Sequence, residues 1–237
     1  MIHIGMATRA RTLGLVLTAS VLLCGCVSTV AGTALRAQNA RAADVPPLKE
    51  SALDGVQLSI DELNGVVGST RMEVTKEFNE MTDHSHKVSD PDCLGTIFGA
   101  EEPVYEGSGW IAVRDQVARE PDEDNDHWVE QTPVLYPSAD KAQKFFDKSR
   151  SAWERCAGTA ISVATADSSS VWNIDDLVAE GNLITQMTTQ KGAEGWTCQH
   201  ALSMASNLTV EACACGYGIT DEGATLAGQM LAKAATK

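Results

Sequence analysis

Apolar positions recur near every 3.6 residues in three stretches of the chain and near every second residue in several others. The helical period is clearest after Ser138, where Ala142, Phe145, Phe146, Ser149, Ala152, Trp153 and Cys156 share one face and Gly158 closes the run. A shorter helix is predicted after Ser59, with Asp61 and Glu62 in its first turn and Gly65 and Gly68 beyond. Asp221 opens a third helix of Ala, Leu and Met. Alternation marks Trp110 to Ala118 and His127 to Tyr136 as strands. It sets Ile111, Val113 and Val117 on one face of the first strand and Trp110, Arg114 and Gln116 on the other. Glu120 to Asp126 between them reads as a solvated hairpin tip. Leu183–Thr189, Trp196–Met204 and Leu208–Cys215 are three further strand-like runs, whereas residues 70–92 are polar and poorly periodic. Strands next to strands, with helices before, among and after, predict an α+β fold: an antiparallel sheet flanked by helices.

The N-terminus follows a different pattern. Arg9 and Arg11 precede an apolar run from Leu13 to Leu23, then Leu23-Cys24-Gly25-Cys26, the order of a secretory signal peptide. The end of the run resembles a bacterial lipobox, with Cys26 as the lipidated residue. A run this short cannot span a bilayer, which takes about 20 residues. Diacylglycerol on Cys26, with or without an amide-linked chain, supplies the two-chain anchoring that one acyl chain does not. From Val27 the sequence is rich in Ala, Ser, Thr and Arg and closes with Pro46-Pro47. Such a stretch has too little apolar surface to offset its ordering entropy and reads as a flexible tether. The expected organisation is therefore a signal peptide over 1–25, lipidated Cys26 and linker over 26–52, and a folded domain over 53–237.

Charge narrows the partners. The 237 residues carry 32 acidic and 18 basic side chains, a net −14, and removal of residues 1–25 takes away Arg9 and Arg11 and no acid, giving −16. No basic face is concentrated enough to neutralise nucleic-acid phosphates, and none suits polybasic docking to anionic lipid. Of seven cysteines, Cys93, Cys156, Cys198, Cys213 and Cys215 remain after Cys24 and Cys26 are set aside. Five thiols allow several pairings, all leaving one spare, and export to an oxidising compartment favours disulfides over metal thiolates.

Tyr105-Glu-Gly-Ser-Gly-Trp110, Trp153-Glu-Arg-Cys156-Ala-Gly158, Cys198-Gln-His200-Ala and Asn207-Leu-Thr-Val leading to Cys215-Gly216 together resemble the PknH-like extracellular sensor domains of mycobacteria. The resemblance covers about residues 53–236. Such domains also occur alone in mycobacterial lipoproteins, and with its lipobox the chain resembles one of those. It implies an antiparallel sheet flanked by helices, a ligand-receiving cleft, and bridges Cys93–Cys156 and Cys198–Cys215. Cys213 has no counterpart in the pattern, so the resemblance leaves open which of Cys213 and Cys215 is paired.

Motifs of chemistry are sparse. Gly107-Ser108-Gly109 lacks the spacing of a nucleophile elbow, and no His-Glu-x-x-His, P-loop or dinucleotide fingerprint occurs. Asp122-x-Asp124-x-Asp126 imitates half a calcium loop, but His127 and Pro133 stand where Gly and Glu belong. His84, His86 and His200 read as surface or structural histidines rather than metal ligands, so no metal, cofactor or catalytic residue is expected. Function then falls to a surface. A binding cleft is expected on the sheet face carrying Trp110, Arg114 and Gln131, with Tyr105 at the rim and His200 as a wall. The Arg114 guanidinium suits an anionic or sugar-like amphiphile. The expected partner is thus a small-molecule or envelope-derived ligand or an envelope protein, met by a lipid-anchored module on the extracytoplasmic face of the cell membrane. The competing class is a hydrolase or transferase acting on envelope glycans or lipids, recognisable by facing carboxylates or a His beside a nucleophile.

Overall fold

A computed structural model of the chain describes residues 45–121, 125–165 and 167–237. The expected signal peptide, Cys26 and the expected tether as far as residue 44, with Asp122 to Asp124 of the acidic tip, lie outside the described residues. The strands are β1 (Glu73–Phe78), β2 (Ala112–Val113), β3 (Asp115–Arg119), β4 (His127–Leu135), β5 (Ala160–Ala164), β6 (Ser169–Glu180), β7 (Leu183–Gln190), β8 (Trp196–Ala205) and β9 (Leu208–Tyr217). They join in the order β1-β3-β4-β9-β8-β7-β6-β5, with β2 also on β4, and every pairing is antiparallel. The helices are α1 (Ile60–Val67), α2 (Leu94–Ile97), α3 (Glu102–Tyr105), α4 (Ala139–Cys156) and α5 (Glu222–Ala234). None of the helices among the described residues is long and apolar enough to cross a membrane.

The helices start where their caps predict. Ser59 and Glu62 form a reciprocal capping box on α1, and Gly68 ends it with φ 75°, a conformation that costs glycine little. The Ser138 hydroxyl accepts the Lys141 N–H at the head of α4, whose buried Ala142, Phe145, Phe146, Ser149, Trp153 and Cys156 lie on the expected face.

Alternation along β9 decides the two faces of the sheet. Leu208, Val210, Ala212 and Ala214 point one way, and Thr209, Glu211, Cys213 and Cys215 the other. The first face packs against α1, α5 and the segment leading into α1, in a cluster that includes Leu53, Leu63, Leu226 and Met230. On the second face, α4 lays Phe145, Phe146 and Trp153 over Val134, Ile184, Leu202 and Met204. Farther along that face, Trp128, Glu130, Cys213 and Cys215 border the 79–101 segment instead. That segment is pinned to β5 by the Val88↔Val163 bridge and to the end of α4 by the Cys93–Cys156 disulfide.

The second disulfide joins Cys198 to Cys215. The β8–β9 register explains the choice: Cys198 lies directly opposite Cys215, and His200 opposite Cys213. Cys213 is a buried free thiol whose Sγ lies 3.8 Å from that of Cys215.

Three expectations need correction. The core begins before Leu53, because Val45 and Leu48 are buried and Leu48 exchanges backbone hydrogen bonds with the Asn207 side-chain amide. Strands β1, β5 and β6 lie at the sheet's margins, and β1 and β6 are largely exposed on both faces, so little apolar alternation marks them. Finally, Trp110 and Ile111 precede the ladder and escape its parity: Ile111 is 55% exposed, while Trp110 packs on the α4 side with Val113. The ladder itself is interrupted at Arg114, opposite Pro133, whose carbonyl accepts the Arg114 N–H but which has no N–H to return.

Candidate functional site

The five residues expected at one cleft are not brought together. Tyr105 is 1% exposed and stacks on Phe145, ring centroids 4.1 Å apart, so it is an anchor beneath α4 rather than a rim. Trp110 contributes to the same packing. Arg114 and Gln131 are on the opposite face. The Arg114 Nε donates to Asp54 at 2.6 Å, Nη2 to Glu50 at 3.4 Å and Nη1 to the Val113 carbonyl at 2.8 Å. Gln131, wholly buried, accepts the Leu58 N–H at 2.7 Å and donates to the Leu58 carbonyl and to Gln116, its partner on β3. Both polar groups therefore fasten the segment before α1 to the sheet, and the Arg114 charge is already met by two carboxylates. His200 is on the α4 face, 2% exposed and 4.5 Å from the Trp153 ring, packed beneath α4 rather than lining a hollow.

The face that carries His200 also carries two hollows that share Phe98 and Trp128 in their linings and together make the candidate cleft. One, of about 410 Å³, lies between β1, β3 and β4 and the 79–101 segment, and is lined by His84, Glu101, Asp115 and Glu130. The other, of about 270 Å³, is apolar: Trp128, Trp172, Trp196 and Phe98 stand around the Cys198–Cys215 bridge and Cys213. Strand parity assembles this floor, since Trp128 and Glu130 of β4 are opposite Cys215 and Cys213 of β9. In the same way Thr188 of β7 is opposite Cys198 of β8.

The first of these hollows concentrates carboxylates. Glu101 is buried and receives the His84 backbone N–H at 2.7 Å, the Thr82 hydroxyl at 3.1 Å and the His84 ring Nδ1 at 2.5 Å. Asp115 receives the Thr132 hydroxyl at 2.6 Å, yet burial raises its pKa and the Glu101 charge adds to the rise. Glu130 is driven well above the usual carboxylate range by desolvation and then by Asp115 and Glu211, with one weak donor, the Gly99 N–H at 3.3 Å. Glu211 lies deeper. Burial, assisted by Asp115 and Glu101, pushes it up to about 7 against the opposing donation of the Ala100 N–H at 3.1 Å. Its Oε1 is 3.8 Å from His200 Nε2, beyond hydrogen-bond range, and neither ring nitrogen of His200 has a hydrogen-bond partner. Burial accordingly holds His200 down at about 4, in the neutral form. It also raises the Cys213 thiol, with Glu130 and Glu211 adding to the shift.

Sequence reasoning missed Trp128, Trp172, Trp196, Glu130 and Glu211. The signal for them was parity: an acid on β4 or β9 at a position that alternation assigns to the apolar α4 face.

Residues 48–233 match the family described as the PknH-like extracellular domain. The serine/threonine-protein kinases PknH of Mycobacterium bovis and Mycobacterium tuberculosis are each 38% identical over 191 residues, 81% of this chain. The chain spans less than a third of the length of these relatives, 31% and 30%. The crystal structure of the extracellular domain of PknH from Mycobacterium tuberculosis superposes with a TM-score of 0.77 at 35% identity, covering 81% of this chain and 99% of that one.

Proposed function

The chain belongs to the PknH-like extracellular domain family, and we propose that it is a membrane-anchored extracytoplasmic binding module without catalysis of its own. Residues 1–25 act as signal peptide, Cys26 carries the lipid, and the segment after it leads to the domain that presents the cleft. The crystallised relative is by its name an extracellular domain, and the lipobox-like Leu23-Cys24-Gly25-Cys26 supplies a means of attachment to the membrane.

The observation that carries the reading is the cleft, where an apolar hollow framed by three tryptophans shares Phe98 and Trp128 with a second hollow that carries carboxylates. A few polar groups converging beside aromatic walls are the usual make-up of a small-molecule site. His200 stays in the proposal as the wall behind Cys213, and Tyr105, Trp110, Arg114 and Gln131 as residues that hold the cleft's scaffold. A ligand search by mass spectrometry on natively purified protein tests the binding, with Trp128→Ala as the comparison. Molecules that copurify with the parent chain and equally with the folded variant overturn it. For the anchor, Cys26→Ser is expected to release the protein from the membrane fraction and to remove the mass of the acyl groups; unchanged retention and mass refute lipidation.

The clustered carboxylates motivate a second reading, an envelope glycan hydrolase in which Glu130 serves as the acid. Turnover of envelope glycans by the parent chain and its loss in Glu130→Gln would establish that reading over the first.

A further inference from the structure

The chemistry of the cleft's two halves goes beyond the existence of a binding site. Its floor carries Glu101, Asp115 and Glu130 with Glu211 behind them, and none of the described lysines forms an ion pair with Asp115, Glu130 or Glu211. Lys76, Lys87 and Arg119 line the same hollow; Lys76 is exposed and Lys87 and Arg119 are half-buried. The imidazole nearest Glu211, that of His200, is buried, neutral and without a hydrogen-bond partner. Glu101 is already met by the His84 ring, and Lys76 offsets part of the rise at Asp115, so the unmet negative charge of the floor centres on half-buried Glu130 and on Asp115, which repel one another and are stabilised by a cation that reaches them.

Geometry separates the candidate cations. Among the described residues, the only set of three or more His, Cys, Asp or Glu ligand atoms that lie within 4.8 Å of one another is the sulfur set Cys198, Cys213 and Cys215. No three carboxylate oxygens among the described residues come close enough to enclose a bare divalent ion, whereas an alkylammonium group, whose N–H···O contacts of about 2.9 Å exceed metal–oxygen distances, tolerates the wider spacing. The adjoining hollow completes the recognition. Trp128, Trp172, Trp196 and Phe98 offer aromatic faces to a cation and apolar surface to a hydrocarbon body. Asn125 Oδ1, which also belongs to that hollow, is buried and has no donor among the described residues. It is one more acceptor facing a ligand that brings hydrogens.

We propose that the cleft binds a cationic amphiphile, its ammonium group held by Glu130 and Asp115 and its apolar body against Trp128, Trp172 and Trp196. This rests on the reading of the cleft as a binding site and adds the charge and shape of what enters. It reverses the anionic preference expected from Arg114, whose guanidinium is on the other face and neutralised there by Asp54 and Glu50.

The test compares three probes of one chain length, decylammonium, decanol and decanoate, below their aggregation thresholds. The protein is the full chain with Cys26→Ser, so that no attached acyl group competes, and binding is followed by calorimetric titration and tryptophan emission. Decylammonium is expected to bind about tenfold more tightly than decanol, with decanoate weakest. Glu130→Gln should abolish most of that preference while retaining decanol binding, and Trp172→Ala should weaken decylammonium and decanol together. Decanoate binding as tightly as decylammonium, or a preference that survives Glu130→Gln, overturns the cationic assignment. If the neutral and anionic probes then still bind and still depend on Trp172, the cleft stands as a site and only its charge preference falls. If no probe binds, both readings fail.

Discussion

Replacing Glu211 by Gln tests the electrostatics of the cleft floor without depending on any ligand. An isolated glutamate in the unfolded chain titrates near 4.5, whereas burial pushes Glu211 up to about 7 in the fold. An acid whose pKa is raised by folding leaves the full stability in place below its unfolded pKa, and stability is lost as pH climbs toward the folded value. The difference of roughly 2.5 units corresponds to about 3 kcal/mol lost by pH 7, of which less than about 1 kcal/mol has gone at pH 5. His200 acts the other way: held down at about 4 from an ordinary 6.5, it costs stability as pH falls through that window. The parent profile therefore mixes two opposed slopes, and the difference between Glu211→Gln and parent isolates one of them, since His200 is present in both. The glutamine carbonyl can still accept the Ala100 N–H that now donates to Oε2. Urea unfolding with both disulfides intact, at pH 5, 6, 7 and 8, should show the variant's advantage over the parent growing by about 2 kcal/mol between pH 5 and 7. A constant difference across that range would refute the assignment of Glu211 as a neutral buried acid.

Three further outcomes follow from packing and covalent links. Removing the Cys93–Cys156 bridge by a double change to Ala frees a long loop and should cost about 4 kcal/mol in the chain-entropy description, measured by the same urea titration; a loss below about 1 kcal/mol contradicts it. Gly223→Ala places a Cβ 2.5 Å from the Gln199 carbonyl oxygen, so α5 must lift from β8, and a stability loss of about 1–3 kcal/mol is expected, with a neutral result arguing against that close approach. The Cys213 thiol, buried and with its pKa raised, should be alkylated far more slowly than an exposed cysteine at pH 8 and at the ordinary rate in urea; peptide mapping that finds it modified rapidly in the folded protein would place it outside the floor.

The fold was legible where one face of an element is dry and the other wet. The α4 face from Ala142 to Cys156 and the strands β7, β8 and β9 follow directly from their periodicity. Strand β6 does not, because its residues are mostly exposed or half-buried and its ladder with β7 slips between Ile174 and Leu177. The disulfide pairing lay beyond sequence arithmetic for a similar reason. Cys213 and Cys215 point to one side, and only the register of β8 against β9 sets Cys215 rather than Cys213 across from Cys198.

The cleft illustrates the limit most clearly. Parity correctly groups Arg114, Gln116 and Gln131 on one side of β3 and β4, with Gln116 directly across from Gln131. What parity does not reveal is which side another part of the chain will cover. The stretch from Val45 to Leu63, read up to residue 52 as linker, lays Leu48, Leu53, Val56 and Leu58 on that side, and Leu58 takes up the Gln131 amide. Gln131 is buried in this way, while Arg114 and Gln116 stay half-buried beside a hollow of about 530 Å³. On the other side, Glu130 and Glu211 stand at positions that share a parity with Trp128, Val134 and the cysteines. An acid there is desolvated unless something charged or wet comes to meet it, and folding leaves each of these two with a single backbone N–H donor and no lysine in ion-pair contact among the described residues. An out-of-place carboxylate on an apolar strand face is thus a better pointer to a site than a tryptophan on a polar one. A tryptophan is satisfied by any neighbour that covers it, as α4 does for Trp110, whereas a buried acid needs a specific charge or donor.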